Sequence, residues 1–296
     1  MNDIYLLVFS TEGLPHDKCF DLTQCTKEIK DKLSQHFKDV WCYTPRSLKT
    51  LPGSEAFCNE WPEQLDMNPN ANNVGYFDFK SFLIDYTLSK IPEGSILVYH
   101  DGNFIKNQQY WHTDWPRLHE ICTGLLASNN SDIFMQFEQS DVLVKHHVKN
   151  YVLTTMFPNP NEQNIVENCK LINAARIILR NSNFSRTFIK DYIGLCLDKS
   201  LVSKSPIGNK HLEFKWSCGD QDVLNALVYR YILDGKLCSN FPRYTFLYRV
   251  IRIENRPFTW NFPNEQKQDW HDRPHPTGIQ EVNNFEIVNY IMRRNK

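Results

Sequence analysis

The opening of the chain limits its fold more than any other stretch. Ile4-Tyr5-Leu6-Leu7-Val8-Phe9 is an unbroken apolar run of strand length, and Val40-Trp41-Cys42-Tyr43-Thr44 is a second, shorter one. Between them Leu22, Ile29, Leu33 and Phe37 recur near helical spacing. Parallel strands need a crossover of this kind, so strand–helix–strand argues for an α/β chain with a mainly parallel sheet flanked by helices. Ser10-Thr11-Glu12-Gly13-Leu14-Pro15, after the first strand, is rich in turn residues.

The same alternation continues. Residues 45–73 are polar and rich in Pro, Asn and Gly, which predicts loop. Helices are expected over Phe79 to Lys90, Trp115 to Ala127, Asn183 to Leu197 (capped by Asn183 or Ser185) and Asp220 to Leu233. Val223, Leu224, Leu227, Val228 and Ile232 fall on one side of the last of these. Strands are expected over Ser95 to Tyr99, Asp132 to Met135 and within Cys169 to Leu179. Phe285 to Arg293 fits either strand or helix. With no linker or repeat visible, the 296 residues read as a single domain, 1–296, whose proline-bearing segment 255–296 forms a C-terminal loop or lid region.

Bulk properties narrow the partners. A net charge of -1 offers no global basic field, so nucleic acid is not expected as a partner. None of the nine cysteines has C-x-x-C spacing, and the odd count in a chain of this size suggests reduced thiols in a cytoplasmic protein. No run approaches 18 apolar residues and the start lacks a basic leader, so neither a transmembrane segment nor a signal peptide is expected. Nucleophile-elbow, phosphate-loop, zincin and dinucleotide-binding signatures are all missing, which sets aside the corresponding hydrolase, kinase, protease and dehydrogenase readings.

Chemistry is expected after the strand beginning at Ile96. Ligands of open α/β sheets bind outside the carboxyl ends of the strands, and there Asp101-Gly102-Asn103 follows. Asp101 and Asn103 supply two oxygen donors, separated by a glycine, that suit one hard cation such as Mg²⁺ or Mn²⁺. The same tripeptide also serves as an ordinary turn. Lys80, at the start of a helix, is either a phosphate contact or a solvated lysine. Gly219-Asp220-Gln221-Asp222 opens a helix with carboxylates in its first turn, where Asp220 or Asp222 suits capping. His271 and His275 suit a metal through neutral imidazole, and Arg273 suits a diphosphate. Lys145, His146, His147 and Lys149 form a basic cluster that reads best as a solvated face.

Three blocks carry a family resemblance. Gly75-Tyr76-Phe77-Asp78-Phe79-Lys80 leading through Ile91-Pro92-Glu93-Gly94-Ser95-Ile96 to Asp101 resembles polysaccharide-building glycosyltransferases, in which an aromatic-Lys helix start and an "Ile-Pro-x-Gly-Asp-Ile" phrase precede an Asp-x-Asp-like metal motif. Leu171-Ile172-Asn173-Ala174-Ala175 is similar to the "Phe-Asn-Ser-Gly-Val" strand of glycogenin-like and galactosyltransferase-like retaining enzymes, and Asp220-Gln221-Asp222-Val223-Leu224-Asn225 to their "Asp-Gln-Asp-x-Leu-Asn" helix start. Asn103 replaces the second Asp of the metal motif, and Ala174-Ala175 replace Ser-Gly.

The resemblance implies a GT-A-like fold and a metal-assisted hexosyltransferase of polysaccharide biosynthesis. Its partners would be a nucleoside-diphosphate-sugar donor and a glycan or other hydroxyl acceptor, in the cytoplasm of a bacterial or virus-infected host cell. Asp101 and Asn103, with His271 or His275, would hold Mn²⁺ or Mg²⁺. Ser10, Thr11, Lys80, Asn173 and Arg273 would bind the donor, and Asp220 and Gln221 would lie beside the transferred sugar, with a lean to retention of configuration. The alternatives are a nucleotidyltransferase, disfavoured because Ser10-Thr11-Glu12-Gly13 is not basic, and a non-catalytic carbohydrate-binding protein of the same fold.

Overall fold

A computed structural model describes residues 3–9, 37–43, 45–60, 78–101, 122, 132–137, 142–202, 213–215, 217 and 219–237. The described strands are β1 (Ile4–Phe9), β2 (Val40–Tyr43), β3 (Ile96–Asp101), β4 (Ile133–Phe137) and β5 (Ile172–Arg180). They form one open, mixed sheet in the order β2-β1-β3-β5-β4. β1 pairs in parallel with β2 and β3, whereas β5 is antiparallel to both β3 and β4. Thus β4 runs with β1–β3, and β5 alone of the described strands is reversed. The expected α/β class, a mixed open sheet flanked by helices, is present as one domain, with two parallel and two antiparallel pairings among the described strands.

The described helices are α1 (Pro45–Lys49), α2 (Glu55–Glu60), α3 (Phe79–Leu88), α4 (Asn150–Met156), α5 (Pro160–Glu167), α6 (Asn183–Cys196), α7 (Lys199–Val202) and α8 (Asp220–Leu233), with a 3₁₀ turn at Val144–His146. One sheet face carries Tyr5, Leu7, Leu97, Tyr99, Ile177 and Leu179, which join a core with Leu83 of α3, Phe188 of α6 and Leu224 of α8. The other face carries Ile4, Leu6, Val8, Ile96 and Val98, also buried. Burial on both faces explains why the strands are nearly continuous apolar runs rather than alternating ones.

Asn181 organises the turn that precedes β3. Its side-chain amide donates to the carbonyls of Leu88, Ile91 and Pro92 at 3.0, 2.8 and 3.1 Å, and its Oδ1 accepts from Arg186 Nε at 2.7 Å. Its backbone N–H and carbonyl pair with Ser95 and Gly94. One buried amide thus satisfies the end of α3 and the Pro92-Glu93-Gly94 turn, in which Gly94 sits at φ 81°. This fixes where β3 starts, and so where its carboxyl end falls.

Several local expectations change. Residues 45–60 hold α1 and α2 instead of loop, because Leu48 and Phe57 are buried and Pro45 suits a first helical turn. The cap of α6 is Ser182, whose Oγ accepts from Ser185 N at 3.2 Å, while Ser185 Oγ accepts from Ser182 N at 3.1 Å. α8 is buried all round except at Arg230, instead of on one side, since it packs against α4, α6, α7 and β5. The basic cluster is no solvated face: His147 and Lys149 are buried, and Lys145 and His146 pair with Glu213 at 2.7 and 3.2 Å. No helix among the described residues is long and apolar enough to cross a membrane. The expected helix over 115–127 lies outside the described residues apart from Cys122, as does that over 22–37 apart from Phe37; the element at 285–293 and the region 255–296 lie wholly outside.

Candidate functional site

Four chain segments meet at the carboxyl end of β3. The first is β3 itself. Side chains two apart share a strand face, so Tyr99 and Asp101 point the same way. Asp101 faces Phe9 across the parallel ladder, which brings the end of β1 beside it. The Asp101 side chain is 28% exposed, whereas Tyr99 is fully buried.

The second segment is the start of α3. Lys80 lies three and four residues before the buried Leu83 and Ile84, on the inward stripe of the helix. It is only 2% exposed, which overturns the solvated-lysine alternative. Its Nζ lies 2.8 Å from Asp220 Oδ2 and 3.5 Å from Asp101 Oδ1, and donates to the carbonyl of Ala174 at 3.0 Å. The ammonium also stands 5.3 Å from the centre of the Tyr99 ring.

The third segment is the start of β5, where the ladder to β4 breaks register. Ile177 faces Met135, but Asn173 already faces Gln136, so Ala174, Ala175 and Arg176 bulge out of that ladder. The bulge is satisfied by side chains: Lys80 takes the Ala174 carbonyl, and Asn173 Oδ1 accepts from Ala175 N at 2.7 Å. Small residues at 174 and 175 suit so close an approach. Asn225 of α8 then clasps Ile172 by both backbone groups, its Oδ1 accepting the N–H at 2.7 Å and its Nδ2 donating to the carbonyl at 3.0 Å.

The fourth segment is the start of α8. Gly219 turns the chain into the helix at φ 62°, a region open to glycine at little cost. The cap position is held by Gly219, which has no side chain to offer the helix. Asp220 turns instead to Lys80, and the Tyr192 hydroxyl lies 3.3 Å from both its Oδ2 and its carbonyl. Asp222 accepts from Ser217 Oγ at 2.7 Å and from Lys149 N at 3.4 Å. Gln221 Nε2 donates to the Ile172 carbonyl at 2.8 Å.

Of the residues singled out in the sequence, Lys80, Asp101, Asn173, Asp220 and Gln221 therefore gather in one place. Ser10, Thr11, Asn103, His271, Arg273 and His275 lie outside the described residues. Tyr99 and Tyr192 were not anticipated. Tyr99 had a signal, two residues before Asp101 on the same strand face. Tyr192 sits on the apolar stripe of α6 with Phe188, Ile189 and Cys196, which hides its hydroxyl as core.

The electrostatics follow from burial. Desolvation pushes the Asp220 carboxyl up to about 6, against the pull of the Lys80 ammonium. Burial lowers Lys80, but Asp101 and Asp220 together overcome it and hold the ammonium above its ordinary value. Burial, reinforced by the neighbouring carboxylates, raises Tyr99 and Tyr192 well above the usual phenol range, so both remain hydrogen-bond donors at neutral pH. Two carboxyl groups, Asp101 and Asp220, thus share the single ammonium of Lys80. An oxygen-rich cluster with one more acid than base suits a further cation.

Among the described residues no three His, Cys, Asp or Glu side chains form a metal-binding group, and Asp101 is the one expected ligand that they include. Its chemistry fits. It is a hard oxygen donor at a strand end, its Oδ1 is engaged by Tyr99 and Lys80, and its Oδ2 has no partner among the described residues. Comparison with protein families, with curated proteins and with solved structures found no match.

The Asp220 shift has a measurable consequence. Its folded value, about 6, exceeds its ordinary 3.8, so between these limits the native protein keeps a proton that the unfolded chain has released. Stability from this group is therefore present at low pH and falls as pH rises through that window, by about 2–3 kcal/mol. Urea denaturation of wild type and Asp220→Asn from pH 4 to 7 isolates it. The variant's curve should be flatter by that amount, and parallel curves would contradict the assignment.

Proposed function

We propose that this chain is a GT-A-type glycosyltransferase that moves a hexose or related sugar from a nucleoside diphosphate to a hydroxyl of a glycan. The observation that carries this reading is the convergence of Lys80, Asp101 and Asp220 at the carboxyl end of β3, beside the bulged start of β5. Three sequence blocks that resemble the family supply these residues, and they are far apart in the chain. A mixed α/β sheet flanked by helices agrees with what that resemblance leads one to expect.

In this reading Asp101 holds Mn²⁺ or Mg²⁺ through its carboxylate, with Asn103 and His271 or His275 as further ligands. The bound cation supplies charge stabilisation to the departing diphosphate. Ser10, Thr11 and Arg273 bind the donor. Asn173 and Gln221 border the sugar, each also fastened to the start of β5. Lys80 acts through the two carboxylates it holds. Asp220, with a carboxyl near 6, is ionised at neutral pH. In a retaining reaction its charge stabilises positive character on the transferred sugar, and in an inverting one it accepts the acceptor's proton. The resemblance of the Asn173 and Asp220 blocks favours retention, and the chain would work in the cytoplasm.

A second reading, a non-catalytic carbohydrate-binding protein, draws on one observation: Lys80 and Asp220 are each only 2% exposed, as in an ion pair that merely holds elements together. Thermal unfolding with a panel of nucleoside-diphosphate sugars, with and without Mn²⁺, separates the two. Donor-selective stabilisation that needs Mn²⁺ is expected. Stabilisation by free glycans alone would favour the second reading, and preference for nucleoside triphosphates would favour a nucleotidyltransferase.

A further inference from the structure

Tyr99 is fully buried in the core, yet its hydroxyl is spent on one oxygen of a strand-end carboxylate. It donates to Asp101 Oδ1 at 2.6 Å, short enough for a strong, charge-assisted bond. Lys80 stands 3.5 Å from that same oxygen, on a different element. Two groups from β3 and α3 thus converge on Oδ1, while Oδ2 has no partner among the described residues. A carboxylate at a strand end otherwise rotates about χ2, which is a broad torsion. Burying a phenol to restrain it is costly unless the hydroxyl is satisfied, and Asp101 is the partner that satisfies it.

The geometry points to Tyr99 as a positioning residue that fixes the Asp101 carboxylate so that Oδ2 is the oxygen offered to a divalent cation. This rests on the glycosyltransferase reading above and adds a residue to it. Tyr99 touches neither cation nor donor and acts only through Asp101. The Tyr99 ring, under the Lys80 ammonium, adds a second restraint by keeping Lys80 near Oδ1. Partners of this kind behind a metal ligand set its orientation and so the affinity of the site.

Tyr99→Phe tests the idea, because it removes one oxygen and keeps the ring that packs the core. Mn²⁺ binding to the full chain in the presence of uridine diphosphate is followed by the loss of the free-ion electron paramagnetic resonance signal, with thermal unfolding measured alongside. Tyr99→Phe should unfold within a few degrees of wild type yet bind Mn²⁺ about tenfold more weakly. In an Asp101→Ala background the same substitution should change Mn²⁺ binding no further, since its effect passes through Asp101. Wild-type affinity in Tyr99→Phe, or an equal loss in both backgrounds, would overturn the positioning role while leaving the donor-site reading intact. If Tyr99→Phe does not fold, 4-fluorophenylalanine in place of Tyr99, which fills the hydroxyl's space without donating, takes over the comparison, and wild-type Mn²⁺ affinity there would overturn the role equally. Absence of Mn²⁺ binding by the wild-type protein would overturn both.

Discussion

Lys80→Met is expected to lower stability by about 3–5 kcal/mol at pH 8, and by clearly less at pH 5. Methionine keeps most of the unbranched stem, so the packing of α3 against β1 and α6 changes little. What is lost is the cation 2.8 Å from Asp220 and 3.5 Å from Asp101. Asp220 is then a buried carboxylate whose remaining close contact is the Tyr192 hydroxyl at 3.3 Å, and the Ala174 carbonyl loses its donor. Without the pull of the ammonium, the Asp220 carboxyl rises beyond about 6. At pH 5 it takes up a proton and escapes most of the penalty, whereas at pH 8 it must stay charged or bind a proton against the solution. Urea denaturation at the two pH values measures the difference. An equal loss at both would mean that Lys80 contributes by packing and not by pairing.

The sheet was legible because its strands are short apolar runs bounded by turns, and burial on both faces demands such runs. Ile4–Phe9 and Ile96–Asp101 show this plainly. The reversal of β5 was not legible. Strand direction is set by where the chain returns, and nothing in Ile172 to Arg180 encodes whether its neighbours run with it or against it. α1 and α2 were hidden because their apolar contacts, at Leu48 and Phe57, are single residues inside polar surroundings. In the site, the sequence named Lys80, Asp101 and Asp220 but assigned them to separate tasks: phosphate contact, metal ligand, sugar neighbour or cap. Their mutual pairing depends on three elements packing together. Asn173 and Gln221 show the same limit, since both amides bond to backbone at the start of β5, an arrangement created by the register break after Met135. Asn181 carried no motif at all, because its role is to satisfy three carbonyls that only the folded turn presents to it.

Asp101→Ala should abolish sugar transfer, with a fall of at least about 10³-fold in turnover, while the protein still folds. The two halves of this expectation have different causes. Turnover depends on a charge facing the donor diphosphate, and Asp101 is the one predicted metal ligand whose position at the end of β3 is described. Stability depends on what its removal leaves behind. The side chain is 28% exposed, Lys80 retains Asp220 and the Ala174 carbonyl, and only the Tyr99 hydroxyl loses its acceptor. A single stranded hydroxyl costs about 1–3 kcal/mol, well below the loss expected for Lys80→Met. The two substitutions therefore separate along opposite axes: Asp101→Ala acts on turnover more than on folding, and Lys80→Met acts strongly on folding. Transfer measured from the donor that the thermal panel selects, together with unfolding curves of both variants, reads both axes. Excess chelator added to the wild-type protein should reproduce the turnover loss of Asp101→Ala without changing urea stability. Full activity in the variant, or in chelator, would remove Asp101 from the metal site and leave it as the turn and ion-pair partner its neighbours make of it.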